Sequence, residues 1–355
     1  MAAGAQRCLV VAPSWLGDAV LARPAVAALA AAGCSLEVLA RGRLGRVLED
    51  LPGVRRVHVV PAASRRQRLR AAVRLRGTAW DGAVVLAPSF SAALAARLAG
   101  ARIRVGERGQ LRDRLLTRAL PSAPRTEHLA RSYLRLAAAL CRDLGLVAAP
   151  EPDAGQLSAP GLALRPEERH AATALLARHR IAGTPLVVAP GARYGPAKRY
   201  PAERFAAAAV SLAERLGAPV VVVGEAADAP ATAAVAAALP GAVDLAGRTS
   251  LEELLGILAA SCAVLANDSG TMHVAAALGC RVVGVFGSTS PAWTGPLGPQ
   301  ATTVSRPVWC SPCFAATCAQ DFACMLDLAP QALVDAFVGL EGRGAGPAPP
   351  REAGL

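Results

Sequence analysis

The sequence predicts an α/β protein built from two doubly wound, parallel-sheet domains. Three observations lead there. Short β-branched runs alternate with alanine-rich helical stretches, the pattern of parallel strands joined by crossover helices. A stretch containing Pro and Gly, Ala148-Ala-Pro-Glu-Pro-Asp-Ala-Gly155, interrupts the alternation, which then restarts. The length of 355 residues suits two domains, at roughly 150 residues each.

In the first half Cys8–Ala12 reads as a strand, Asp18–Ala32 as a helix closed by Gly33, and Leu36–Ala40, Val57–Val60 and Ala83–Leu86 as further strands. In the second half Leu186–Ala189, Val220–Val223, Ala263–Ala266 and Val282–Val285 are the strands, with helices near 202–216, 228–238, 250–260 and 271–278. The predicted domains are 1–155 and 160–328, followed by a helix over 329–341 and a flexible tail at 342–355. In doubly wound sheets ligands bind beyond the carboxyl ends of the strands, so a central cleft between two such halves is expected to hold the site.

The composition is 53% hydrophobic and 18% charged, ample for buried cores and contrary to wholesale disorder. Charge, Gly or Pro breaks every apolar stretch before the ~18 residues of a membrane span. The segment Met1–Ala12 resembles a signal sequence only superficially, because its apolar core is short and runs into Pro13; it reads as the first strand of a cytoplasmic protein. The formal net charge is +12. Residues 1–150 carry +15 and residues 151–355 carry −3, so the first half expects an anionic partner. With aromatics at 4% and no nucleic-acid-binding motif, base-stacking platforms are excluded and no nucleic-acid partner is expected.

Four loops carry candidate chemistry. The chain has thirty-seven arginines and one lysine, Lys198, in the Gly- and Pro-built loop Gly191–Pro201 after a strand. A compact cation in such a loop reads as a phosphate site, against the alternative of a solvated surface lysine. Pro13-Ser-Trp-Leu-Gly-Asp18 follows the first strand, and Asp18 is either a general base or an ordinary helix cap. In Asn267-Asp-Ser-Gly-Thr-Met-His273, the residues Asp268, Ser269 and Thr271 are cap-type and Gly270 permits close backbone approach. Free amides at that helix start can hold a pyrophosphate, or the side chains simply cap. His273 there is structural or a local hydrogen-bonder. Glu225, after a strand, binds a nucleotide ribose or is a solvated loop residue.

There is no dinucleotide fingerprint, no Walker-type Gly-Lys-Ser/Thr and no Asp-x-Asp to hold a metal against a pyrophosphate. Cys310, Cys313, Cys318 and Cys324 form a C-x2-C-x4-C-x5-C cluster. It suggests a structural zinc or clip, although the spacing is not a standard knuckle and reduced thiols are the alternative. Cys8, Cys34, Cys141, Cys262 and Cys280 read as small core residues.

Together these segments resemble one family, the ADP-heptose:lipopolysaccharide heptosyltransferases of glycosyltransferase family 9, and within it the branch adding the second heptose. The resemblance rests on Pro13–Asp18, Ala87-Pro-Ser-Phe90, Gly106-Glu-Arg-Gly-Gln-Leu-Arg112, Pro190–Pro201, Leu245-Ala-Gly-Arg-Thr-Ser-Leu251, Asn267–Leu278 and Gly287-Ser-Thr-Ser-Pro291, in the family's order. It implies a GT-B fold, two Rossmann-like domains facing a cleft. It also implies inverting, metal-independent transfer of L-glycero-D-manno-heptose from ADP-heptose to the first heptose of phosphorylated lipid A–Kdo, with no cofactor required. By matching position Asp18 deprotonates the acceptor and Lys198 stabilises the leaving diphosphate. Asp268, Ser269, Gly270, Thr271 and His273 line the donor pocket, and Glu225 helps bind the nucleoside. Ser14, Arg193 and Tyr194 are further substrate-binding candidates, and Arg65, Arg66, Arg68, Arg108 and Arg112 are candidates to meet the acceptor. The family chemistry does not require the cysteine cluster, which is therefore read as a stability or assembly element whose loss spares the active-site geometry.

Two readings compete within this fold: transfer of the first or a later heptose, and a non-catalytic nucleotide-sugar sensor. A third, of another class, is a basic membrane-surface or nucleic-acid binder. The expected location is the cytoplasm, peripheral at the inner face of the cytoplasmic membrane.

Overall fold

The structure, a computed structural model, describes residues 5–61, 65–147 and 157–342, with the Arg65 side chain outside the description. The expected linker at 148–155 and the tail beyond 342 lie outside the described residues. The chain divides into two compact units, Met1–Leu162 and Ala163–Leu355.

The first unit holds strands β1 (Gln6–Val11), β2 (Cys34–Arg41), β3 (Val54–Val60), β4 (Gly82–Val85), β5 (Ile103–Glu107) and β6 (Arg118–Leu120). Its helices are α1 (Leu16–Leu21), α2 (Arg23–Ala31), α3 (Arg46–Glu49), α4 (Arg65–Arg74), α5 (Phe90–Leu98) and α6 (Leu129–Asp143). The second unit holds β7 (Leu186–Ala189), β8 (Val220–Val222), β9 (Val243–Asp244), β10 (Ala263–Asn267), β11 (Val282–Phe286) and β12 (Ala301–Ser305). Its helices are α7 (Pro166–Arg178), α8 (Ala202–Leu216), α9 (Ala229–Ala237), α10 (Leu251–Ala259), α11 (Gly270–Ala277), α12 (Pro291–Thr294), α13 (Ala323–Leu326) and α14 (Pro330–Glu341).

Each unit is a six-stranded parallel sheet, and the two orders are the same: β3-β2-β1-β4-β5-β6 and β9-β8-β7-β10-β11-β12. This is the doubly wound order, whose direction of winding reverses between its first and fourth strands. The central strands are continuous apolar runs, fully buried in β4, β7, β10 and β11, as a sheet covered on both faces requires.

The sequence reading needs four adjustments. The helix expected over 18–32 is two helices, because Pro24 lacks the N–H that would bond the Val20 carbonyl and its ring crowds that carbonyl. Strands β5, β6, β9 and β12 went unread: two are very short, and β5, β6 and β12 carry exposed or polar residues that hide the apolar signal. The unit boundary falls after Leu162, because the fully buried Arg23 donates its Nε to the Pro160 carbonyl at 2.9 Å while its guanidinium grips Asp50 at 2.7 and 3.0 Å. The terminal helix α14 belongs to the second unit's core through Leu333 and Phe337.

The five cysteines outside the cluster are packed as expected, with Cys262 alone among them half-buried. Burial pushes the Cys280 thiol from 9.0 up to about 12. The folded protein therefore keeps this thiol protonated over a range in which the unfolded chain ionises it. Its contribution is intact below pH 9 and is lost as pH rises toward 12. The urea midpoint is expected to fall over that window, and less steeply in Cys280→Ala; an unchanged slope in the variant would exclude this thiol as a contributor.

Candidate active site

β7 and β10 are neighbours at the reversal point of the second sheet, so the loops leaving their carboxyl ends border one crevice. The lysine loop leaves β7, and Asp268 with the start of α11 leaves β10. Asn267, fully buried at the end of β10, closes the lysine loop at both ends. Its Nδ2 donates to the Pro190 carbonyl at 2.7 Å and its Oδ1 accepts from the Tyr200 amide at 3.0 Å.

Within that loop Lys198 Nζ donates to Asp268 Oδ2 at 2.6 Å. The side chains are only 14% and 5% exposed, so little solvent screens the pair. The same carboxylate oxygen accepts from Thr289 Oγ1 at 2.7 Å, and His273 Nε2 lies 3.9 Å from Asp268 Oδ1. Lys198 also sits 5.2 Å from the centre of the Tyr194 ring, within cation–π range. Ser269 occupies the N-cap position of α11, yet its side chain makes no capping bond. The hydroxyls of Ser269 and Ser288 are both buried and make no hydrogen bond within the protein. A buried hydroxyl without a partner costs about 1–3 kcal/mol, so capping alone does not account for Ser269. Free helix amides, an ammonium and two unsatisfied hydroxyls make a set suited to a phosphate-bearing ligand. Gly270 and Thr271 open α11 at the same place.

The cysteine-bearing segment is part of this framework, contrary to its reading as a separate stability element. Ala316 O accepts from the Ala197 amide at 3.0 Å, and Phe314 O accepts from the Tyr194 hydroxyl at 2.8 Å. The Phe314 amide donates to Ser288 O at 2.7 Å, and the Phe314 ring meets Trp293 edge-on with centroids 5.4 Å apart. Gly195 is required, since a Cβ there would lie 2.2 Å from Ala316 O. All four thiols are free, with Cys313 exposed and Cys324 buried. Burial, and then the neighbouring Cys318, Cys310 and Cys313, raise the Cys324 thiol. Among the described residues no three metal-ligating side chains are arranged to hold a metal ion.

Glu225 and Arg193 face each other at 3.2 Å, both largely exposed, a geometry worth little in stability but open to a ligand. Sequence reasoning passed over Asp228 beside them. It accepts from the Glu225 amide at 3.1 Å, approaches Arg199 at 3.6 Å and fills the space where a Cβ on Gly191 would stand. Thr289 and Ser288 were likewise missed, although Gly287-Ser-Thr-Ser-Pro291 had been noticed as a motif. Ordinary hydroxyls gain meaning only from what faces them.

In the first unit β1 and β4 border the corresponding crevice. Asp18 stands in the first turn of α1. Burial first, then the charges of Asp18 and Glu107, push the Tyr133 hydroxyl well above its ordinary pKa, so a neutral phenol lies within their electrostatic reach. Arg68 is 8% exposed and donates to Ser14 Oγ at 3.3 Å and Ser91 Oγ at 3.5 Å. Ser89 caps α5 beside them, accepting from the Ala92 amide. Ser14 and Arg68, separate candidates in the sequence, thus come together with Ser89 and Ser91. Arg66 and Arg108 are exposed. Arg112 is a correction: it is buried, and it donates to the backbone carbonyls of Glu107 and Arg108, bracing its own turn through Gln110 and Leu111, both with positive φ. The Arg65 side chain lies outside the described residues.

Gly195→Ala is expected to displace the lysine loop, weakening pyrophosphate binding by calorimetry and costing roughly 1–3 kcal/mol of stability. Gly339→Ala in α14, where a Cβ meets nothing within 4 Å, is the neutral control. Equal pyrophosphate affinity for both would remove the cysteine-bearing segment from the site.

Known proteins share this sequence pattern and this fold. The model of glycosyltransferase family 9 (heptosyltransferase) matches residues 68–323. Lipooligosaccharide heptosyltransferase 2 of Haemophilus influenzae is 30% identical over 83% of this chain and 87% of its own. Lipopolysaccharide heptosyltransferase 2 of Salmonella typhimurium is 31% identical over 84% and 87%. The solved Escherichia coli ADP-heptose LPS heptosyltransferase II superposes with a TM-score of 0.76 at 28% identity, covering 94% of this chain and 98% of that one. The two doubly wound units are those of a GT-B glycosyltransferase, and the chain belongs to glycosyltransferase family 9, the heptosyltransferases.

Proposed function

We propose that the protein transfers L-glycero-D-manno-heptose from ADP-heptose, with inversion, to the first heptose of the lipid A–Kdo inner core, acting at the cytoplasmic face of the inner membrane. The observation that supports this most is the buried Lys198–Asp268 pair at 2.6 Å, with the unsatisfied hydroxyls of Ser269 at the start of α11 and of Ser288 beside Thr289, which itself bonds Asp268. Relatives matched over most of the chain are named heptosyltransferase 2, which favours that acceptor over the bare one.

The donor diphosphate lies against the α11 amides. Lys198 uses one N–H on Asp268 and offers its remaining donors to the diphosphate as the glycosidic bond breaks. A preformed ammonium aimed at developing charge stabilises the transition state more than the ground state. Asp268 holds Lys198 in place and His273 packs beside it. Glu225 and Arg193 meet the nucleoside, and Tyr194 keeps the ammonium oriented. Asp18 takes the proton from the attacking hydroxyl. Ser14 and Arg68, with Arg108, meet the anionic acceptor, while Arg112 keeps the Glu107–Arg112 turn in shape.

Lys198→Ala is expected to lower kcat by roughly 10²–10³. Asp18→Asn is expected to lower it by about 10²–10⁴ while leaving the calorimetric Kd for ADP-heptose unchanged. Equal loss of donor affinity in Asp18→Asn would count against its role as base. ADP release from ADP-heptose is expected with lipid A–Kdo bearing one heptose and not with the bare acceptor. Release only with the bare acceptor moves the assignment to the first-heptose reaction, and release with neither, despite ADP binding, leaves a sensor.

A further inference from the structure

Between Asp50 and Asp81 the chain carries eight arginines and no acidic residue. The stretch covers edge strand β3 and helix α4. On α4, Arg66, Arg70 and Arg74 recur at intervals of four, so they lie on one face; all three are exposed. Val73, half exposed, lies among them, and exposed Arg76 follows the helix. The opposite face turns Arg68, Ala72 and Leu75 into the unit.

An exposed helix face elsewhere in this protein mixes charges: α7 carries exposed Glu167 with exposed Arg169 and Arg178. The α4 face does not, and among the described residues no carboxylate pairs with Arg66, Arg70, Arg74 or Arg76. Shielding an edge strand from aggregation calls for a charge or two on the strand itself, which Arg55 and Arg56 already supply. It does not explain a row of unpaired arginines on the neighbouring helix.

We propose that the outer face of α4, with Arg76, docks on an anionic phospholipid surface. Arginines beside a membrane are attracted by its negative surface potential, and an exposed valine in the row suits the headgroup boundary. Nucleic acid fits less well, since no residue of α4 or of the turn after it up to Gly77 offers an aromatic ring for base stacking. The inference adds a contact surface to the proposed reaction and stands independently of the acceptor chosen.

The test is co-sedimentation of the full chain with phosphatidylglycerol/phosphatidylcholine vesicles and with phosphatidylcholine alone, both free of lipopolysaccharide. Binding is expected only to the anionic vesicles and is expected to weaken with salt. Arg70→Glu/Arg74→Glu/Arg76→Glu should weaken partitioning roughly a hundredfold, while ADP affinity and solution turnover on a detergent-solubilised acceptor stay at the wild-type level. Arg70→Gln/Arg74→Gln/Arg76→Gln provides the same reading should the charge-reversed chain fail to fold. Equal binding to neutral vesicles, wild-type partitioning by the variants, no binding at all, or tighter binding to a DNA or RNA duplex would each overturn the proposal. Because the vesicles contain no acceptor, its failure would leave the transferase reading untouched, and failed transfer would leave this one untouched.

Discussion

One ion pair organises the second unit. Lys198 and Asp268 meet at 2.6 Å out of solvent, where an unpaired charge would be costly, about 3–5 kcal/mol when one partner is removed. The pair fastens the loop after β7 to the loop after β10, the two loops at which the sheet's winding reverses. The other contacts serve that fastening. Asn267 closes the ends of the lysine loop, Thr289 holds the carboxylate, and Ala316 and Phe314 hold Ala197 and Tyr194. A cation held by so many contacts needs little reorganisation when negative charge develops nearby, which is the condition for electrostatic catalysis.

The two units use the same strand order to gather different residues. In the second, the reversal point collects one ammonium, helix amides and unsatisfied hydroxyls. In the first, it collects Asp18, the Ser14–Arg68–Ser91 group and the Ser89 cap of α5. Their charge budgets differ accordingly, +15 for residues 1–150 against −3 for the rest. The proposed function accounts for this difference: a basic surface raises the local concentration of an anionic glycolipid, whereas a nucleotide sugar is held by a few well-placed donors.

The cysteine segment shows how a motif can be noticed and misplaced. Four thiols in fifteen residues drew attention to metal chemistry, yet the residues that act on the site are the intervening Phe314 and Ala316, and they act through their backbone. Carbonyls carry no side-chain identity, so residue type could not have revealed them. Arg112 illustrates the converse: an arginine in a basic half reads as a ligand for anions, and only its burial discloses that it braces a turn.

The sequence by itself determined the two-unit α/β plan, the strands flanking both reversal points, and the loops that hold Asp18, Lys198 and Asp268. These are legible because β-branched runs, Gly- and Pro-built loops and cap residues follow local rules that neighbouring residues suffice to express. The weak outer strands were not legible, because partial exposure and polar residues erase their periodicity. Only the tertiary structure decided that Lys198 is paired with Asp268, seventy residues away, that the hydroxyls of Ser269 and Ser288 are buried without partners, and that Arg23 sets the unit boundary through Pro160. Each of these depends on which atoms long-range packing brings within hydrogen-bond distance and removes from water, and local sequence does not encode that.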